Sequence, residues 1–355
     1  MNDTKLTRQR LISHFGTHPE LQIRDIFKFL FQSVFGCEHM ISSLERAVSY
    51  IQTEAQNISC IDNATVEPLD GEYSRIPLAY LGKGMSAETL GKLFYLSASA
   101  EKGTVEQLEK RLDIAEQLIA EGQLSFSLLA FKAARMAWKD ADYSALHHSD
   151  AFREAYHPSY RVISNKYIPY LDLLAKLDTM LEAGNVKLAI EGSSASGKTT
   201  FAGMLEQLYD CTIFHMDDFF LRPEQRTKER FAQPGGNIDK ERFLDEVLLP
   251  LSRGENITYR QFDCSTFTLT EPVSITPKRL TVIEGAYSMH PELAKYYDIS
   301  VFLNISADLQ KKRIEHRNSP QMAVRFFNEW IPMEIKYFEA FNIKDQCDIV
   351  IDITK

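Results

Sequence analysis

The chain has no paired cysteines, no long apolar run and no stripe of a single charge. Its five cysteines, Cys37, Cys60, Cys211, Cys264 and Cys347, are scattered, and none stands in a Cys-x-x-Cys pair. An odd, dispersed set argues against a disulfide framework or a cysteine zinc site and suits buried thiols in a reducing compartment. No apolar stretch approaches the roughly 18 residues that a membrane-spanning helix needs, so no membrane is expected as a partner. The opening ten residues are polar and lack the apolar core of a signal peptide, which makes the cytoplasm the expected location. The net charge of −9 is spread over both halves without a run of Lys or Arg, so no nucleic acid is expected either. Internal repeats and low-complexity segments are also missing.

What is there suits two domains, the natural expectation for 355 residues. The stretch that organises the chain begins at Lys187. Apolar residues run into Gly192, Ser193, Ser194, Ala195, Ser196, Gly197, Lys198, Thr199 and Thr200, and Phe201 to Tyr209 then reads as a helix. Strand, Gly-x4-Gly-Lys-Thr loop and helix form the context of a phosphate-binding loop. The glycines let the backbone close around an anion, and successive N–H groups and the helix N-terminus face it. Lys198 would reach the β- and γ-phosphates of ATP, and the Thr199 hydroxyl would ligate Mg²⁺.

Beyond the loop, short apolar strands alternate with helices, the signature of an α/β fold with a parallel sheet. Cys211 to Met216 is a strand ending in Asp217-Asp218-Phe219-Phe220, and acids at the carboxyl end of such a strand face the ligand crevice. A polar, turn-rich stretch from Arg222 to Asp239 contains Pro234-Gly235-Gly236 and would form a loop over the site. Phe243 to Leu251 reads as a helix, Ile257 to Asp263 as a short edge element, Arg279 to Glu284 as a buried strand ending in a carboxylate, and Ile299 to Asn304 and Asp348 to Asp352 as further strands. Leu309 to His316 is a helix rich in cations. Phosphoryl transfer needs positioning and electrostatic stabilisation. Glu284 is placed to hold Mg²⁺, and Asp217 to accept a hydroxyl proton or add a second metal contact. Arg313 and Arg317, four apart on one helix face, are placed to cover the γ-phosphate, with Arg325 as a further candidate.

Residues 1–165 read as mainly helical. Helices are expected after His18-Pro19 with Gly36 as the break, from Glu38 to about Gln56, and at about 86–100, 104–121 and 125–138. Val66 to Pro77 carries an Asp-Gly turn and reads as a hairpin whose prolines confine it to a short edge. Two polar clusters stand out, Gln32 to His39 and His147 to Arg161. They suggest a pocket for an anionic or nucleotide-like ligand, with Arg153 or Arg161 as anion partners and His39 or His148 in acid–base or hydrogen-bonding roles. The alternative is a satisfied polar network where helices meet the next domain. A metal reading is weaker, because no His-x3-His or His-Glu-x-x-His spacing appears in the clusters. Asn165 to Leu181 reads as an amphipathic helix ended by Gly184, so residues 166–185 are expected to link the helical domain to a domain at 186–355.

Residues of about 187–352 resemble the uridine kinase, phosphoribulokinase and bacterial pantothenate kinase group of P-loop kinases. The resemblance rests on Gly192–Thr199, Asp217 to Phe220, Asn237-Ile238-Asp239, Phe262-Asp263 and Glu284-Gly285, in that order. It implies a P-loop NTPase fold, ATP and Mg²⁺ as cofactors, and Asp217 as general base. It also implies an acceptor site with Asp239 toward ribose hydroxyls and Phe220, Tyr259, Arg260 and Phe262 around the acceptor. Phe220 replaces the family's tyrosine that contacts the base, and the histidine that follows the Tyr-Asp-Phe block in uridine kinases has no clear match in Ser265 to Thr268. The first half resembles an uncharacterised helical module of bacterial proteins in Phe35-Gly36-x-Glu38-His39, His148-Ser149 and Tyr160-Arg161. The expected function is an ATP-dependent kinase of a small hydroxyl compound, most readily a nucleoside. A sugar, a sugar phosphate or a pantothenate-like alcohol is the alternative acceptor, and an ATP-binding switch acting on the helical half is the alternative of another class. In a third reading residues 1–165 are catalytic in their own right.

Overall fold

The computed structural model describes residues 2–37, 41, 43–56, 65–99 and 103–354. They divide into two compact units, Met1–Asp178 and Thr179–Lys355. Each unit has its own apolar core. The division falls inside the helix Leu171–Ala183. The expected amphipathic helix from Asn165 begins as a tighter 3₁₀ turn, Asn165–Tyr170, which contains Pro169. Proline has no N–H to donate, and α-helical pairing starts only after it.

The first unit places helices near where the 3.6-residue pattern expects them, at Ile23–Phe35, Ala87–Ala98, Val105–Ala120 and Leu128–Asp140, while the helix expected from Glu38 starts only at Leu44 and runs to Ala55, because the Ser43 side chain caps it by accepting from the Arg46 N–H. Ile26, Phe27, Leu30 and Val34 are buried along one of them, and Gly36 ends it at φ +64°. A Cβ at Gly36 would sit 2.9 Å from the Tyr73 ring. The hairpin is β1 (Glu67–Pro68) and β2 (Tyr73–Pro77), paired antiparallel. Elements that go beyond the sequence reading include the helices Asn2–Thr17 and Asp150–Tyr156 and the strand β3 (Tyr160–Ser164). β3 pairs antiparallel with β2, far away in the chain, and no local pattern announces such a partner.

In the second unit β4 (Val186–Gly192), β5 (Cys211–His215), β6 (Ile257–Tyr259), β7 (Phe262–Asp263), β8 (Thr268–Leu269), β9 (Val273–Ile275), β10 (Leu280–Glu284), β11 (Ile299–Ile305) and β12 (Ile349–Ile353) follow in chain order. Five of them form one parallel sheet in the order β12-β11-β4-β10-β5. Helices such as Lys198–Leu208 and Ile331–Phe341 flank it. The edge element expected at 257–263 is two small antiparallel pairs, β6 with β9 and β7 with β8. The loop expected over the site contains a short helix, Lys228–Ala232. Arg230 fastens that loop through Gly236 O at 3.1 Å and Ile238 O at 2.8 Å. β4 is central, and Glu284 at the end of β10 is in register with Ile190 and His215. The phosphate loop, the β5 turn and the Glu284 carboxylate therefore share one edge of the sheet, the edge where open α/β sheets bind ligands. Among the described residues, no helix is long and apolar enough to cross a membrane.

The first unit also buries a polar chain. The Tyr160 hydroxyl lies 2.6 Å from His148 Nε2, and His148 Nδ1 lies 2.9 Å from Asp25 Oδ1. Asp25 further accepts from the Ser149 N–H at 2.9 Å and hydroxyl at 2.6 Å, and from Gln22 N–H at 3.0 Å. Burial opposes its charge, but these hydrogen bonds prevail and lower it to about 2. Burial lowers His148 to about 4 against the pull of Asp25, so its ring is neutral at pH 7. The folded value lies below the ordinary 6.5, so His148's contribution is complete above that pH and is lost as pH falls toward about 4. Hydrogen-exchange protection of the helix Ile23–Phe35, corrected for intrinsic exchange, is expected to fall over that window. His148→Gln should start from lower protection and give a shallower fall, and an undiminished slope in that variant would refute the assignment.

Candidate active site

The loop after β4 takes its shape from a few backbone positions. Gly192 has φ +148°, Ala195 φ +63° and Gly197 φ +102°. A Cβ on Gly192 would lie 2.6 Å from the Leu303 carbonyl of β11, so only glycine fits. The helix starts at Lys198, directly behind the loop. Lys198 Nζ folds back across it and donates to Gly192 O at 2.8 Å and Ser193 O at 3.0 Å. Ser196 is buried, and its hydroxyl has no hydrogen-bond partner among the described residues. Thr199 and Thr200 are exposed on the first turn.

Four carboxylates, Glu284, Asp217, Glu191 and Glu334, surround this loop in different ways. Glu284 is buried and accepts from Thr199 Oγ1 at 3.1 Å, while His215 Nδ1 lies 2.6 Å from the same oxygen, Oε1. That hydrogen bond raises the histidine's pKa. Asp217 follows β5, opens to solvent, and makes no hydrogen bond among the described residues. Its pKa is raised, first by desolvation and also by Glu284 and Asp218, with Lys198 and His215 opposing. Its neighbour Asp218 is committed to Gln261 Nε2 at 3.1 Å and Tyr259 Oη at 3.5 Å. The third is Glu191, at the base of the loop. It accepts from Gly192 N–H at 2.9 Å, Met289 N–H at 3.1 Å, Tyr287 N–H at 3.2 Å and Tyr337 Oη at 3.1 Å. Burial pushes it up to about 7.

The helix Ala307–Arg317 bonds to the loop through carbonyls. Gln310 donates to Ser194 O and Arg313 to Ala195 O, each at 2.9 Å. Arg317 is exposed and stands over the Phe326 ring, and Arg325 pairs with Glu329. Glu334, on the following helix, is buried and accepts from the Ser194 N–H at 2.9 Å and from its hydroxyl. Around the expected acceptor side, Asp239 is buried, accepts from Gln225 Nε2 at 2.9 Å, and caps the helix that starts at Lys240. Phe220 bridges to Ile238. Tyr259 stacks on Phe219, and Phe262 lies under Arg226. Arg260 is exposed, and its carbonyl accepts from Arg242.

The structure thus gathers Lys198, Thr199, Glu284 and Asp217 at one edge of the sheet and brings Arg313 onto the loop, while Asp239 already has partners of its own. In the first unit His148 and Arg161 have separate partners. Arg161 pairs with Glu54 at 2.9 Å, and Arg153 is exposed beside Asp150. His39 lies outside the described residues. The sequence reading did not single out Glu191, His215 or Glu334. Glu191 had a signal, an acid interrupting an apolar strand just before the first loop glycine. Glu334 had none, because its contact with Ser194 depends on the folded chain. Mg²⁺ takes oxygen ligands, and the adjacent Thr199 hydroxyl and Glu284 carboxylate are an oxygen pair of that kind.

Residues 188–320 match the model of the Phosphoribulokinase / Uridine kinase family. The chain is 24% identical over 182 residues to the phosphoribulokinase of Synechocystis sp., an alignment that covers 47% of this chain and 53% of that one. The chain therefore spans about half the length of this curated relative. Among solved structures it is similar to a "Possible Uridine Kinase" from Bacillus stearothermophilus, with 23% identity, a TM-score of 0.39, and coverage of 51% of this chain and 100% of that one. It is also similar to the shikimate kinase of Bacteroides thetaiotaomicron, with 14% identity, a TM-score of 0.26, and coverage of 47% and 86%.

Removing the Glu191 carboxylate leaves several buried donors without an acceptor. Glu191→Ala should cost about 3 kcal/mol or more and lower Tm by about 10 °C, read by thermal unfolding. The folded pKa lies above the ordinary one, so ionisation of Glu191 opposes folding as pH rises from about 4.5 to 7. Glu191→Gln should remove that slope.

Proposed function

Taking residues 188–320 as a domain of the Phosphoribulokinase / Uridine kinase family, we propose that the chain is an ATP-dependent phosphotransferase acting on a hydroxyl of a small molecule. One observation carries this reading most directly. Asp217 is an uncommitted carboxylate, electrostatically coupled to Lys198 and Glu284 at the edge where the phosphate loop opens. Loop N–H groups bind the triphosphate, and Lys198 turns its ammonium from the loop carbonyls to the β- and γ-oxygens. Thr199 and Glu284 hold Mg²⁺, which when bound offsets the negative charge of the phosphates. The acceptor oxygen forms the new bond to the γ-phosphorus, the bond from that phosphorus to the β,γ-bridging oxygen breaks, and ADP leaves. Asp217 takes the hydroxyl proton, and its raised pKa suits that task. Arg313 and Arg317 stand on the helix that meets the loop and cover the transferred group.

A nucleoside is the acceptor we favour from the ordered series of motifs. A sugar, a sugar phosphate or a pantothenate-like alcohol is the second reading. It is supported by Asp239, which is already hydrogen-bonded to Gln225 instead of standing open for ribose hydroxyls. Both readings are tested by one screen of phosphate transfer from ATP across nucleosides, sugars and vitamins. Asp217→Asn is expected to lower turnover of the best acceptor about 10²–10⁴-fold and to leave ATP affinity within about threefold. Full activity in that variant would remove Asp217 from the mechanism. Slow ATP hydrolysis that no acceptor stimulates would overturn the kinase reading.

A further inference from the structure

The helix Asn2–Thr17 ends one turn after His14, and His18 follows four residues later. This His-x3-His spacing stands outside both polar clusters singled out in the sequence. A ring nitrogen of each histidine and a carboxylate oxygen of Glu67 in β1 all lie within 4.8 Å of one another.

The hydrogen bonds show which nitrogens are open to a ligand. His14 Nδ1 lies 2.5 Å from Glu67 Oε1. A carboxylate can only accept, so Nδ1 carries the proton. With the proton on Nδ1, the opposite ring nitrogen, Nε2, is the one that offers a lone pair. Among the described residues that nitrogen is buried without a hydrogen-bond partner, in a residue only 3% exposed. His18 follows the same pattern. Its Nδ1 lies 2.9 Å from the His14 carbonyl, an acceptor, so its Nε2 is the nitrogen left for a ligand. An imidazole that gives one N–H to a carboxylate or carbonyl and offers its other nitrogen is the arrangement found around bound metals.

The rings are also held in place. His14 stacks on Phe29, and His18 stacks on Phe152 and meets the edge of Tyr156. Arg75, the nearest cation on Glu67, is matched by Glu67 Oε2 at 3.1 Å and by Gln32 Oε1 at 2.9 and 2.8 Å. Those contacts leave Glu67 Oε1 to the histidines.

We propose that His14, His18 and Glu67 form a site for one transition-metal dication of the zinc, cobalt or nickel kind. The Nε2 atoms of both histidines are the ligands, Glu67 orients His14, and water completes the shell. Imidazole nitrogens select such ions over Mg²⁺. Metal–nitrogen bonds of about 2.0–2.1 Å require the ligand atoms to stand closer than they do here.

The test uses the full chain, stripped with a chelator and returned to buffer with excess Mg²⁺. It is titrated with Zn²⁺ against a chromophoric chelator and with Co²⁺ followed by visible absorption. Bound metal is counted after gel filtration. One equivalent per chain is expected. H18Q, at a half-buried position beyond the helix end, should lose it. E67Q should weaken it about 10–100-fold, and H147Q, at an exposed position, should retain it. Failure of the unaltered chain to bind overturns the proposal, as does binding that survives H18Q or is lost in H215Q instead.

Discussion

The second unit depends on a single buried carboxylate. Glu191 gathers N–H and O–H donors from the first residue of the phosphate loop, from the segment after β10 and from Tyr337 on the helix Ile331–Phe341. These segments share little sequence neighbourhood, and an acceptor with two oxygens is the simplest way to fasten all of them to one point. Three residues before Tyr337 on the same helix, Glu334 takes the Ser194 N–H. The helix therefore grips the loop at its root and near its crest. Gln310 and Arg313 hold the carbonyl side. The loop's shape is set by side chains from three directions as well as by its own glycines.

The first unit solves a different problem. It buries Asp25, Arg75, Gln32, His14 and His148, groups that cost free energy to desolvate unless paired. Most of them are matched, Asp25 by four donors and Arg75 by Gln32, Glu67 and the face of Tyr160. A small helical unit with this much internal polarity pins its helices in one register more tightly than apolar packing alone would.

Much of this was legible in the sequence, and the reasons differ by element. The phosphate loop was legible because its chemistry is local: glycines, lysine and threonine at fixed spacing between a strand and a helix. The parallel sheet was legible because buried strands read as apolar runs. Asp217 and Glu284 could be picked out because each ends such a run. β3 escaped because Tyr160 to Ser164 is a strand only through β2. Glu334 escaped because a carboxylate on an ordinary helical turn has no local mark. The His14–His18 pair escaped because two histidines one helical turn apart gain meaning only with Glu67 beside them. Asp239 shows the converse: its motif was visible, but Gln225 and the helix cap that engage it were not.

The strand order has a consequence for how the chain acquires its structure. β4 hydrogen-bonds only to β10 and β11, both of which follow much later in the chain. Until they exist, the central strand and the loop it carries have no sheet to belong to. The first unit pairs its own strands entirely within itself. During synthesis the first unit can therefore close while β4 still waits for partners. Contacts of such long sequence separation are slow to form, and the interval in which the apolar β4 stands unpaired is when this chain is most exposed to aggregation.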